Sequence, residues 1–163
     1  HRYDPASKKS DEPSPQSVFL IHGHDEGTKL KVARFLEKLG LSVVILHEQV
    51  NKGMTTIEKF ENYAANAGFA VALFTPDDIG YPMASEQDKQ PRARQNVVLE
   101  MGFFVGKLGR SKVCLLHKGA VELPSDILGV LYVAMDDNSG WQLTVARELR
   151  AAGYEIDLNR IVT

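Results

Sequence analysis

Short apolar runs alternate with amphipathic segments along most of the chain. Five runs are apolar throughout: residues 18–21, 43–46, 69–74, 113–116 and 130–134. Four other segments carry apolar residues at helical spacing: residues 32–39, 55–67, 96–108 and 141–152. Strands that are apolar on both faces, alternating with amphipathic helices, predict a parallel sheet that is covered on both sides.

Five such strands predict an open, doubly wound parallel sheet of the flavodoxin-like α/β class, with helices on both faces. Ligands bind to such sheets beyond the carboxyl ends of the strands, where the strand order switches. The loops expected at that edge are residues 22–27, 47–54, 75–95 and 117–126. The alternating tail, residues 154–158, predicts a little additional structure at a sheet edge.

The first sixteen residues differ from the rest of the chain. The segment HRYDPASKKSDEPSPQ is polar, charged and rich in proline and serine, and it has no periodicity. Such a composition buries too little apolar surface to offset the entropy of ordering. We therefore expect residues 1–16 to be a disordered linker or a cloning remnant, followed by one domain over residues 17–163. A natural linker here would imply a further domain upstream.

Composition excludes several function classes. The net charge of −2 gives no electrostatic indication of binding to duplex nucleic acid or to an anionic membrane, and no apolar stretch is long enough to span a membrane. The single cysteine, Cys114, lies within an apolar run, where a thiol is usually part of the core. With no partner for a disulfide within the chain, a reducing, cytoplasmic compartment is favoured.

The loop after the first strand reads His22-Gly23-His24-Asp25. It matches neither a Walker loop nor a G-x-G-x-x-G fingerprint. Its glycine allows close backbone approach, and the following helix N-terminus offers free N–H groups to a pyrophosphate. The alternative is an ordinary polar turn between a strand and a helix. A metal site made by the two histidines and Asp25 has no second ligand cluster to support it, so no metal is predicted.

One acidic residue in the third predicted helix combines an apolar setting with a position at the ligand edge. Glu100 borders the stripe of Val97, Met101 and Phe104 that faces the sheet, and no cation stands three or four positions away. A glutamate near a helix start is more often a solvated residue that pairs with the helix dipole. Gly102 and Gly106 further predict close approach of this helix to a neighbouring backbone.

A single carboxylate is enough for one kind of glycosidic cleavage. Most glycoside hydrolysis needs two carboxyl groups, because the leaving oxygen must be protonated. The nicotinamide of NAD⁺ is already cationic and leaves as a neutral molecule. The site then has to stabilise only an oxocarbenium-like ribose, which a fixed carboxylate in a dry pocket does. Glu100 suits that reaction.

Residues 17–160 resemble the TIR-like domains of bacterial antiphage systems triggered by cyclic nucleotides, the CBASS and Pycsar effectors. The resemblance lies in VFLIHG (18–23), GMTTIEKF (53–60), FAVALFTPDDIG (69–80), residues 92–110 and LPSD (123–126). It implies the TIR fold and NAD⁺ glycohydrolase activity, with NAD⁺ as substrate, no cofactor, and Glu100 at the position of the family's catalytic glutamate. Residues 47–54 match the BB loop, which gates the pocket and mediates assembly. Activation by an upstream sensor that drives the domain into homo-oligomers or filaments is also implied.

Position in the predicted fold assigns the other site residues. We expect the first loop to hold phosphate and ribose, three residues at the end of the third strand and just beyond it to line the pocket floor, and three residues at the start of the third helix to close it. In that order they are His22, Gly23, His24 and Asp25; Phe74, Thr75 and Asp77; and Arg94, Gln95 and Asn96. Two alternatives remain: a TIR scaffold without enzymatic activity, and an enzyme resembling nucleoside deoxyribosyltransferases, which would exchange bases and leave NAD⁺ untouched.

Overall fold

A computed structural model describes residues 17–48 and 52–161. Its main feature is a five-stranded parallel sheet in the order β2-β1-β3-β6-β7. These strands are β1 (Ser17–Ile21), β2 (Ser42–Val44), β3 (Ala70–Phe74), β6 (Val113–His117) and β7 (Leu131–Ala134). A two-stranded antiparallel hairpin, β4 (Asp78–Gly80) and β5 (Gln90–Arg92), stands apart from the sheet. The strand order reverses between β1 and β3, as in flavodoxin-like folds, which confirms the predicted fold class.

Four helices cover the sheet: α1 (Glu26–Lys38), α2 (Thr56–Ala64), α3 (Gln95–Leu108) and α4 (Gly140–Ala151). The helices α1 and α4 share one core, in which the rings of Phe35 and Trp141 meet edge to face with centroids 5.1 Å apart. The helices α2 and α3 pack on the opposite face, where Phe19 of the sheet contacts Phe60 and Phe104. Helices therefore lie on both faces, as predicted.

Local signals explain where the helices begin and end. Thr55 and Glu58 form a reciprocal capping box at the start of α2, as the sequence predicts. Gly109 follows α3 with a φ of 86°, a conformation that glycine adopts at little cost. The helix α2 ends at Ala64 rather than just before Gly68, although Ala67 beyond its end is still buried.

Several finer predictions are wrong. The tail forms no strand: residues 154–157 are irregular and a 3-10 turn follows at Leu158–Ile161. The second strand is shorter than its apolar run, because Leu46 already belongs to a 3-10 turn. Ile57, which helical spacing puts on the same apolar face as Phe60 and Ala64, is nevertheless 55% exposed and lies in the first turn of α2. Gly102 and Gly106 approach no neighbouring backbone, since a Cβ at either position would meet nothing within 4 Å.

The structure tests two further predictions only over the residues that it describes. Residues 1–16, predicted to be a linker, lie outside the described residues, as do residues 49–51 of the predicted BB loop. Over the described ranges, no helix combines the length and apolarity that crossing a membrane requires.

Candidate functional site

The loops after β1 and β3 meet at the point where the strand order switches. The backbone N–H of His24 donates to Asp77 Oδ2 at 3.0 Å, which ties the two loops together. Gly23 lies beneath this contact, and a Cβ at that position would overlap the Asp77 carboxylate. Thr75 is only 2% exposed, and its Oγ1, like Nε2 of His22, has no hydrogen-bond partner within the described chain. Two buried polar atoms therefore stand unpaired beside this junction. Burial also lowers the pKa of His22, which favours the neutral ring.

Arg94 extends this cluster towards the start of α3. Its Nη1 lies 3.2 Å from Nε2 and 3.3 Å from Nδ1 of His24, and its Nε lies 3.2 Å from Asp78 Oδ2. The sequence-predicted residues that come together here are His22, Gly23, His24, Thr75, Asp77 and Arg94. The expectation that they surround one part of a ligand stays a prediction.

Asp25 caps the N-terminus of α1, so its carboxylate already places a negative charge there. Its carboxylate accepts from the backbone N–H of Thr28 at 3.0 Å and from the Thr28 hydroxyl at 2.8 Å, and it pairs with Lys118 Nζ at 2.8 Å. The hydrogen bond from Lys118 is the main cause that lowers the pKa of Asp25 to about 2. A phosphate at this helix start would have to compete with a resident carboxylate.

Glu100 lies in a separate cavity of about 230 Å³ between α2 and α3. The cavity walls are mostly apolar and come from α2, α3 and the 3-10 turn that begins at Leu46. They comprise Leu46, Thr56, Ile57, Phe60, Asn96, Leu99 and Phe103. Packing explains the position of Glu100: Val97, Met101 and Phe104 hold the inner face of α3 against the sheet, which turns position 100 towards α2. Of the other sequence-predicted residues, Asn96 alone lines this cavity.

The carboxyl group of Glu100 has no charged or hydrogen-bonding partner among residues 17–48 and 52–161. Burial against the apolar walls raises its pKa from 4.5 to about 7. The group therefore changes charge near neutral pH, and when it is ionised no cation of the described ranges pairs with it. An unpaired carboxylate in an apolar cavity can stabilise a cation that forms there.

Phe74 and Gln95 line a second cavity, of about 450 Å³, on the other flank of α3. This space is called the second cavity below. Its lining residues are Phe74, Arg92, Ala93, Gln95, Val98, Leu99, Glu122, Leu123 and Pro124. Arg92 and Glu122 form an ion pair of 2.8 Å at its edge. Sequence reasoning did not single out Arg92 or Glu122, nor the apolar walls of the Glu100 cavity. The signal for Arg92 lay in residues 92–110 of the resemblance, whereas Leu46 and Phe60 carry no sequence feature beyond apolarity.

Gly23→Ala is expected to destabilise the domain by about 1–2 kcal/mol, because the added methyl group displaces the Asp77 carboxylate and breaks its hydrogen bond to His24. Gly102→Ala is the matched control. It adds a methyl group in open space on α3 and is expected to stabilise the fold by about 0.5–1 kcal/mol. Urea unfolding of both variants checks this. A Gly23→Ala variant as stable as the parent would show that the junction tolerates a side chain.

No group of three or more histidine, cysteine, aspartate or glutamate side chains is placed to hold a metal ion in the described part of the chain. Cys114 is fully buried in β6, and burial raises the pKa of its thiol to about 12, so the thiolate needed for nucleophilic attack does not form near neutral pH.

Comparison with known proteins agrees with the fold. The chain is 44% identical over 151 residues to the uncharacterized protein YuaY of Escherichia coli, an alignment that covers 93% of this chain and 50% of that protein. It is 35% identical over 125 residues to the protein tirC of Dictyostelium discoideum (71% of this chain, 62% of that protein). It is also 38% identical over 120 residues to the Pycsar effector protein BcPycTIR of Burkholderia cepacia (69% and 38%).

The chain thus corresponds to between about two fifths and three fifths of the length of these relatives. Residues 17–137 match the family model for the CAP12/Pycsar effector protein, TIR domain. This range contains the strands β1 to β7, both cavities and Glu100. The chain belongs to the CAP12/Pycsar effector TIR-domain family.

Proposed function

We propose that the domain hydrolyses NAD⁺ at the bond between nicotinamide and ribose, with Glu100 as the catalytic residue. The observation that carries this proposal is the unpaired carboxylate in a cavity with mostly apolar walls. A half-buried acid that has no partner among the described residues destabilises the fold when it is ionised, so a structural role does not explain it. A role in stabilising a transient cation does explain the unpaired carboxylate, because the substrate then supplies the missing positive charge.

The chemistry follows from the charges of the two partners. NAD⁺ brings a cationic nicotinamide, which favours the ionised form of a carboxyl group whose pKa is about 7. As the C–N bond breaks, the positive charge moves onto the ribose while neutral nicotinamide leaves. Glu100 stabilises that charge, and the apolar walls formed by Leu46, Phe60 and Phe103 keep the local dielectric low. The Asn96 amide can hydrogen-bond to a ribose hydroxyl. Water then attacks the ribose and gives ADP-ribose.

The family relation supports a role as an antiphage effector in the cytoplasm. Relatives carry the names Pycsar effector protein and CD-NTase-associated protein 12. By analogy, an upstream sensor domain would bring copies of this domain together as an oligomer or filament. Leu46 and Thr56, which lie on either side of the predicted BB loop in the sequence, both line the Glu100 cavity, so a neighbouring copy that contacts this region could influence the site.

Nicotinamide release from NAD⁺ tests the proposal. We expect the chain to release nicotinamide when it is clustered on a multivalent support, and to do so more slowly as a dilute monomer. A clustered chain that releases none would favour the scaffold alternative. Exchange of bases between nucleosides without consumption of NAD⁺ would instead favour an enzyme of the deoxyribosyltransferase type. Retained far-UV circular dichroism shows that the clustered chain is folded in each case.

A further inference from the structure

The second cavity has the size and the wall chemistry of a site for a small planar ligand. Its volume of about 450 Å³ falls within the range usual for small-molecule sites. Its apolar lining includes buried Phe74 and Ala93 together with Leu123 and Pro124. Val98, on the α3 side, is 40% exposed although it is apolar. A flat apolar ring would cover these surfaces.

Polar groups stand at one end of this apolar cavity. Arg92 lies over Gly80, where a Cβ would overlap its guanidinium group, and its Nη2 donates to Glu122 at 2.8 Å. Its Nε is buried and has no partner within the described chain. The Gln95 amide adds a donor and an acceptor. This combination of donors, acceptors and apolar walls fits the edge and faces of a purine base.

The two cavities flank the same first turn of α3. Gln95 lines the second cavity and Asn96 lines the Glu100 cavity, while Leu99 contributes to both. No side chain caps the N-terminus of α3, in contrast to α1, where Asp25 does so. The free N–H groups at this end and the neighbouring Arg94 favour an anionic group placed between the cavities.

We propose that the second cavity binds the adenosine half of NAD⁺, so that the dinucleotide crosses the N-terminus of α3 with its ribosyl-nicotinamide end at Glu100. This inference rests on the proposed function for the identity of the ligand. It assigns Val98, Leu123, Arg92 and Gln95 to recognition of the adenine nucleoside, and it places the diphosphate at the start of α3.

Binding of AMP to the 163-residue chain tests the site without requiring any activity. We expect AMP to shift the amide NMR signals of residues 92–99 and 122–124, and ribose 5-phosphate, which lacks the base, to leave the signals of Ala93 and Leu123 unchanged. Val98→Trp fills the cavity from a half-exposed helix position and is expected to weaken AMP binding at least about tenfold. Leu143→Trp, at a similarly exposed position on α4, is the matched control and is expected to bind AMP as the parent does.

Turnover of two substrates separates this inference from the proposed function. Val98→Trp should raise the KM for NAD⁺ at least about tenfold and leave hydrolysis of nicotinamide mononucleotide, which lacks the adenosine half, within about twofold. Equal effects on both substrates, or AMP shifts confined to residues 22–28 or to the outer face of α1, would overturn the adenosine site while the hydrolase stands. A parent that binds AMP at the second cavity but releases no nicotinamide would overturn the hydrolase alone. Absence of any AMP-induced shift would overturn the inference.

Discussion

Glu100→Gln is expected to lower the rate of nicotinamide release from NAD⁺ by about a hundredfold to a thousandfold. Glutamine has nearly the shape of glutamate, but an NH₂ donor replaces one of the two acceptor oxygens and the side chain carries no negative charge. The variant therefore retains the cavity and loses the charge that stabilises the ribosyl cation. Because the charge acts most strongly on the ribosyl cation of the transition state, the loss should appear mainly in kcat, with a smaller rise in KM from the lost attraction to the cationic nicotinamide.

The measurement compares clustered parent and variant at saturating NAD⁺. Glu61→Gln is the matched control, since it removes a carboxylate from the exposed surface of the adjacent helix α2 and should leave the rate unchanged. Equal rates in the parent and in Glu100→Gln would remove this carboxylate from the mechanism. A large rise in KM at unchanged kcat would instead make Glu100 a binding residue.

The strand and helix pattern could be predicted because a two-faced parallel sheet leaves a strong sequence signal. Buried strands such as β3 need apolar residues at every position, and the helices between them need one apolar face. The hairpin of β4 and β5 was missed because its short strands are polar, contain Pro91 and pack against no continuous core. Such segments owe their shape to pairing with each other, which no periodicity reveals.

The candidate site could be predicted only as far as its elements. Sequence placed Glu100 on a helix at the ligand edge, and the structure has it there. The predicted residues lie in three places: the polar junction, the Glu100 cavity and the second cavity. Their placement depends on which elements pack against each side of α3, and the sequence does not show this. Asn96 and Gln95 are adjacent in sequence and yet line different cavities, because successive residues on a helix point about 100° apart. Asp25 was predicted to bind substrate, and its capping role was missed although aspartate directly before a helix is a common N-cap.

Glu100→Gln is also expected to stabilise the domain at and above neutral pH. The folded-state pKa of Glu100, about 7, lies above its ordinary value of 4.5, so between these pH values the folded state binds more protons than the unfolded state. Stability conferred by the protonated acid is therefore lost as the pH rises from 4.5 to about 7, and above that the ionised carboxylate destabilises the fold by its full amount. A shift of this size corresponds to about 3 kcal/mol, and partial access of solvent to the cavity lowers the expected gain to about 2 kcal/mol.

Urea unfolding at a series of pH values checks this second expectation. The stability difference between Glu100→Gln and the parent should be close to zero at pH 4.5, grow as the pH rises and level off above about pH 7, whereas Glu61→Gln should show no such trend. A glutamine variant that is less stable than the parent at every pH would contradict it and would make Glu100 a structural residue, as the scaffold alternative requires. We expect instead that the glutamine variant is more stable than the parent at and above neutral pH. A residue whose replacement silences the domain and also stabilises it is retained for chemistry, because folding alone would select against it.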